Sequence, residues 1–134
     1  MLDSDQWSAT FRTNVDPLSH LTNSALHHIS KGALTMNSAS VDVYAGTPSR
    51  IDYAASKGAG FLTQLVKEGI HINVVSAGPV WYPLVATGVG EQGQKGHGLG
   101  NLTPMERLGH PSEIATSYVL LAGSESAERS NVAP

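Results

Sequence analysis

Tyr53 and Lys57 stand four residues apart and Ser40 lies thirteen before the tyrosine, within the stretch SVDVYAGTPSRIDYAASK. On a helix beginning at Tyr53, residues four apart share one face. A phenol, an ammonium and a hydroxyl converging on one point can move a proton to or from a substrate oxygen. A free phenol ionises near pH ~10 and is mostly protonated at neutrality, whereas an adjacent ammonium favours the phenolate, so Lys57 is expected to lower the Tyr53 pKa. The pair is not specific by itself, because a tyrosine and a lysine at this spacing also stand together on many surface helices.

The elements that must position these groups can be read along the chain. Asp3 followed by Gln6 resembles a helix start, with a capping carboxylate and a polar side chain three residues on to reach back. Trp7, Phe11, Val15, Leu18, Leu21, Ala25, Leu26 and Ile29 then recur at helical spacing, which predicts one long helix from about Ser4 to Ser30. Pro17 should kink it, freeing a carbonyl near Thr13 beside Asn14. An asparagine at such a break either admits water or a ligand or merely solvates the break. Ala33 to Ala39 reads as a short strand, Val41 to Asp52 as a loop, Tyr53 to Glu68 as a helix with a small-residue face, and Ile70 to Val75 as a second buried strand. Two strands joined through a helix should pair in parallel with a right-handed crossover. Ser76 to Leu84 then follows as an irregular loop at the carboxyl end of a parallel strand, where open α/β folds place ligands.

Gly88, Gly90 and Gly93 spell G-x-G-x-x-G, but Gln94 to His97 continue the loop where a dinucleotide fingerprint needs a helix to open. The stretch from Thr87 to Leu102 reads instead as a flap over a ligand site. Pro104 to Gly109 is a connector, and Pro111 starts a helix with Ser112 and Glu113 in its first turn and an apolar face of Ile114, Ala115, Tyr118, Val119, Leu121 and Ala122. The expected domain runs over 1–123, with 124–134 an aperiodic, disordered tail.

Composition narrows the function classes. A chain of 134 residues fits one hydrophobic core, and a net charge of −3 without a basic stripe points away from nucleic acid. No cysteine is present, which removes disulfides and thiol chemistry. The six histidines show no ligand spacing with a carboxylate, so no metal is expected. Apolar runs fall short of the roughly 20 residues that span a bilayer, and the polar, acidic start is unlike a secretory leader, leaving the cytoplasm as the default location.

Taken together, these motifs resemble the short-chain dehydrogenase/reductase family, from about Asp5 to Ala127 and closest to its glucose and ribitol dehydrogenase-like branch. QWSATFRTNVDPL is similar to the family's central helix with its functional asparagine at Asn14; MNSASVDVYAG to the strand and serine at Ser40; and IDYAASKGA to the tyrosine and lysine motif at Tyr53 and Lys57. INVVSAGPVWYPL is similar to the segment that closes over a nicotinamide, and PMERLGHPSEIATSYVLLAGSESA to the last large helix. The resemblance implies NAD(P)-dependent hydride transfer between a polyol- or sugar-like alcohol and a carbonyl. Tyr53 would be the general acid/base, Ser40 would bond the substrate oxygen, Lys57 would hold the cofactor ribose, and Asn14 would support a water-linked proton path. Tyr53, Lys57, Gly78, Pro79, Val80 and Tyr82 would contact NADP or NAD.

The resemblance covers only the family's C-terminal portion. It implies a partial Rossmann-like, doubly wound α/β fold that lacks the first four strands, the phosphate-binding glycine loop, the residue that selects NAD or NADP, and the final strand. Near the cofactor, Ala77-Gly78 replaces the usual proline-glycine and Tyr82 replaces a threonine. Weak activity or none is therefore expected of the chain alone, since a dinucleotide owes much of its binding to the phosphate site. The alternative function is that of a truncated, inactive homologue that partners longer subunits through the helices at 4–30 and 53–68, or has no function.

Overall fold

A computed structural model describes residues 3–46, 48–59, 63–83, 85 and 98–123. Helix α1 spans Ser4–Asn14 and α2 spans Asp16–Leu26. Asp3 caps α1 by accepting the Asp5 amide at 3.2 Å, and Asp5 in the first turn with Arg12 in the last complements the helix dipole. Gln6 does not complete a capping box; its amide reaches the Asp52 carboxylate at 3.3 Å.

The expected single helix to Ser30 is two helices that end at Leu26. Pro17 falls in the first turn of α2, where its missing N–H costs nothing, so the chain restarts a helix at Val15 rather than bending one. Val15 bridges the junction by donating to Phe11 O at 2.8 Å and accepting from Ser19 N at 3.0 Å.

Strands β1 (Leu34–Ser40) and β2 (His71–Ala77) pair in parallel, in register from Leu34 opposite His71 to Ser40 opposite Ala77. Both run further toward their carboxyl ends than expected, so Ser40, Ser76 and Ala77 belong to the sheet. At the opposite end Gly69, with φ of 72°, accepts from the Gly32 amide at 2.8 Å and delivers the chain into β2.

The segment expected as a loop over Val41 to Asp52 is largely helical. It holds a four-residue helix α3 (Asp42–Ala45), closed by Gly46 in the left-handed region, and a 3-10 turn at Pro48–Arg50. Helix α4 covers Ile51–Gly58, starting earlier and stopping sooner than expected, with a separate 3-10 stretch at Thr63–Glu68. Gly58, the last residue of α4, accounts for the early stop, because glycine is a poor helix former.

Helix α5 spans Pro111–Ala122, with Glu113 accepting the His110 amide at 2.6 Å. It packs on both strands. The Tyr118 hydroxyl bonds Ser38 Oγ, and Asn73 from β2 donates to Leu121 O at 2.9 Å. The expected apolar face is only partly buried, with Val119 75% exposed. The glycine-rich run at 88–97 and the tail at 124–134 lie outside the described residues.

Buried polar side chains, Ser40, Asp42, Asp52, Ser56 and Asn73, outnumber buried apolar ones, Ala39, Leu65 and Ile70, among the described residues. The interior around α4 is therefore held by directional bonds more than by apolar packing. No described helix is long and apolar enough to cross a membrane.

Candidate active site

Ser40 ends β1 and Ala77 ends β2, and the Val41 amide adds one further bond to Ala77 O at 2.9 Å. The chain then turns into α3, where the Asp42 amide donates to Ser40 Oγ at 3.2 Å. A hydroxyl that accepts in this way keeps its own proton for another partner. The Tyr53 phenol faces the same cavity, and the Ser40 hydroxyl favours its ionised form.

Tyr53 sits in the first turn of α4, and the start of α4 is fixed from two sides. Asp52 is 3% exposed and accepts Thr10 Oγ1 at 2.6 Å and the Gln6 amide, which ties α4 to α1. The Thr10 bond is the main reason that the Asp52 pKa is lowered from 3.8, with the backbone amides of the helix start also contributing. On the other side Arg50 pairs with Asp42, Nη2 to Oδ2 at 3.1 Å. Sequence reasoning passed over Asp42, Arg50 and Asp52 because they fell in an expected loop. An acidic residue immediately before Tyr53, suited to a helix N-terminus, was the available signal for Asp52.

Two cations flank the Tyr53 ring. The Arg50 guanidinium carbon and the Lys57 ammonium each lie 5.7 Å from its centroid. The expectation that Lys57 brings the phenol below its ordinary pKa is overridden here by burial of the phenol. Burial pushes the Tyr53 pKa above 10.0, offset in part by the Ser40 hydroxyl and by Arg50, while Tyr82 and Asp42 add to the rise. The phenol is therefore neutral at physiological pH.

Asn14 ends α1, and its amide donates to Ser56 Oγ at 2.9 Å, which in turn donates to Tyr53 O at 2.8 Å. The asparagine thus reaches the backbone of the tyrosine, while its side chain is absent from the cavity wall.

Ser40, Tyr53, Gly78, Pro79, Val80 and Tyr82 line one cavity of about 740 Å³ at the carboxyl ends of the two strands. The Gly78 to Tyr82 segment is pinned there by a parallel bridge between Val80 and Gly109, with Gly109 N bonding Pro79 O at 2.9 Å and Trp81 N bonding Gly109 O at 2.8 Å. Helix α5 closes the far side with Ile114 and Tyr118. Of the residues expected to act, Ser40, Tyr53 and the Gly78 to Tyr82 segment share this wall; Lys57 lies behind the tyrosine ring and Asn14 one layer further back. A Cβ added at Gly78 meets nothing within 4 Å, so the strand end opens directly onto the cavity.

Residues 1–129 match the family model described as enoyl-(acyl carrier protein) reductase. The chain is 39% identical over 127 residues to NADPH-dependent aldehyde reductase 1, chloroplastic, of Arabidopsis thaliana, covering 90% of this chain and 43% of that protein. It is 37% identical over 131 residues to glucose and ribitol dehydrogenase of Daucus carota, covering 93% and 45%. Its fold superposes on the crystal structure of a short-chain dehydrogenase/reductase, glucose/ribitol dehydrogenase, from Brucella melitensis with a TM-score of 0.77, at 25% identity, over 94% of this chain and 52% of that one. The chain thus spans less than half the length of these curated relatives.

Proposed function

This chain belongs to the short-chain dehydrogenase/reductase family, and we propose that it contributes the proton-transfer half of a nicotinamide-dependent carbonyl reductase acting on a polyol- or sugar-like substrate, with Tyr53 as general acid. The observation that carries this reading is that Ser40 and Tyr53 share the wall of a single cavity at the carboxyl ends of parallel strands. Ligands of open α/β folds gather at such ends, and the volume is in the usual range for a small-molecule site.

The cavity chemistry fits the nicotinamide end of the cofactor. Gly78, Pro79, Val80 and Tyr82 offer it an open wall, and Lys57 supplies a cation beside Tyr53 for a ribose hydroxyl. Among the described residues no strand leads through a glycine-rich turn into a helix, so none of them forms a cradle for the phosphates. NADPH is the form in the name of the Arabidopsis relative. A bound nicotinamide would supply hydride to the substrate carbon.

The chain's own groups handle the oxygen. Ser40 and Tyr53 would both donate to a carbonyl oxygen placed between them, and the Tyr53 proton would move to that oxygen as it gains negative charge. A half-buried, neutral phenol is in the correct protonation state to give its proton in this direction. The phenolate left behind would be stabilised by Ser40 and by the flanking Arg50 and Lys57 before it regains a proton. Asn14 would hold the Tyr53 backbone through Ser56 and support a water-linked route for that proton. Titration with NADPH, followed by tryptophan fluorescence, tests cofactor binding: saturation is expected, and a linear, non-saturating response would overturn it.

A second reading has its own observation. Leu21 on α2 is 71% exposed, and the Trp7 and Phe11 rings stack at 4.7 Å with Trp7 36% exposed, so the 4–30 region presents apolar surface suited to a partner subunit. In this reading the chain is a non-catalytic partner of a longer homologue, docked through 4–30 and 53–68. Sedimentation of the mixture should then show a joint species; two independent monomers would exclude it.

A further inference from the structure

Four residues stand together on the cavity wall. The Asp42 backbone amide donates to Ser40 Oγ at 3.2 Å, the Asp42 carboxylate pairs with Arg50 at 3.1 Å, the Arg50 guanidinium carbon lies 5.7 Å from the Tyr53 ring centroid, and Ser40 and Tyr53 face the same cavity. We infer that Asp42 and Arg50 are positioning residues for the Ser40 and Tyr53 hydroxyls: the α3 turn at Asp42 sets the serine as donor, and the Asp42 carboxylate holds Arg50 over the tyrosine ring. The inference rests on the reading of Tyr53 as the proton-transfer group, and neither residue forms part of the Ser40, Tyr53, Lys57 and Asn14 set.

Geometry carries the argument. Asp42 is 6% exposed, whereas the Arg50 side chain is 41% exposed, so the carboxylate is the fixed member and the guanidinium is held by it. A planar guanidinium has the shape to lie over an aromatic face while it pairs with a carboxylate. Both residues also line a second cavity of about 930 Å³ beside the first, formed with Leu102, Pro104 and Met105. They therefore stand at the junction of the two spaces, where a substrate body would pass.

The charged and titratable groups around the phenol are known from each element that meets α4. They are Lys57 on α4 itself, Arg50 from the preceding turn, Asp42 from α3 and Tyr82 from the segment after β2, with Asp52 turned toward α1. Burial is the largest influence on the phenol; Arg50 favours its ionised form and Asp42 opposes it. Removing either member of the pair should thus move the phenol in opposite directions, which a merely structural role would not do.

The test uses the whole chain labelled with 3-fluorotyrosine, whose phenol ionises at lower pH, with the Tyr53 signal assigned by Tyr53→Phe and followed by fluorine NMR. Arg50→Gln should raise the titration midpoint of residue 53 and Asp42→Asn should lower it, while Arg50→Lys, which keeps the charge, should move it less than Arg50→Gln. Midpoints that stay in place, or that move in the same direction in both variants, overturn the inference. If Arg50→Gln loses its circular dichroism, Asp42→Asn decides alone: a lowered midpoint supports the inference and an unchanged or raised one overturns it. The readout needs no turnover, so opposite shifts in a chain that never reduces a carbonyl would uphold the pair and reject the functional reading.

Discussion

Thr10 Oγ1 donates to Asp52 Oδ2 across 2.6 Å, which joins the middle of α1 to the first turn of the helix that carries Tyr53. The carboxylate is almost fully buried, so the bond fixes where α4 begins and hence where the phenol stands. Hydrogen bonds to buried charged groups contribute about 1.5–3 kcal/mol. Thr10→Val should lower the unfolding free energy by about that amount in urea denaturation, with Gln6 retaining one bond to Asp52.

Stability should fall in acid for two separable reasons. The pKa of Asp52 is lowered from 3.8, chiefly by Thr10, so its contribution is full above that value and disappears as pH drops through the lower folded value. Glu113 is lowered from 4.5 to about 2, first by the Arg107 hydrogen bond and then by the His110 amide, so its contribution fades between those values. The Arg107 and Glu113 side chains are 46% and 48% exposed, which makes the pair weak and open to screening. Urea midpoints of wild type, Asp52→Asn and Glu113→Gln, taken from pH 5 to 2 at low and high salt, should show the Asp52 difference shrinking with acid at either salt. The Glu113 difference should shrink with acid and with salt.

Gly69 takes φ of 72° at the entry to β2, and a Cβ there would come within 2.7 Å of the Lys31 side chain. The lysine can swing away, but the backbone conformation cannot be relieved so easily. Gly69→Ala should cost about 1–2 kcal/mol. The same change at Gly78, where φ is not in the left-handed region and a Cβ meets open space, should leave the thermal midpoint nearly unchanged.

Much of this arrangement is legible in the residues. The parallel pairing of the strands follows from β-branched Ile72, Val74 and Val75 after a helical connection, and the helix at Pro111 follows from its proline start. Asn14 and Ser40 each end an element, and Tyr53 lies in the first turn of α4. Less legible is anything decided by tertiary partners. Gln6 looks like a capping residue until Asp52 is brought to it, 46 residues away in sequence. Val41 to Arg50 carries the turn signals of Gly46 and Pro48, yet the Asp42 to Arg50 ion pair gathers those turns into α3 and a 3-10 turn. The direction of the Tyr53 pKa was likewise hidden, because burial is not visible from a lysine four residues away.

Ser40→Ala should leave the fold intact, since Ser40 Oγ accepts one local amide bond and ends a strand held by seven backbone pairings. It should also remove the hydroxyl that favours Tyr53 ionisation, and so move the phenol further up. Fluorine NMR of residue 53 reads this directly, and circular dichroism checks the fold.

The most direct test of the proton-transfer site is NADPH oxidation by the purified chain at high cofactor concentration with a sugar-like aldehyde, compared with Tyr53→Phe. General acid catalysis contributes about 10²–10⁴-fold. The wild-type chain should turn over and Tyr53→Phe, which differs by one oxygen, should be slower by at least about a hundredfold at equal circular dichroism. No NADPH-dependent turnover by the wild type, or equal rates in the two, would contradict the assignment of Tyr53.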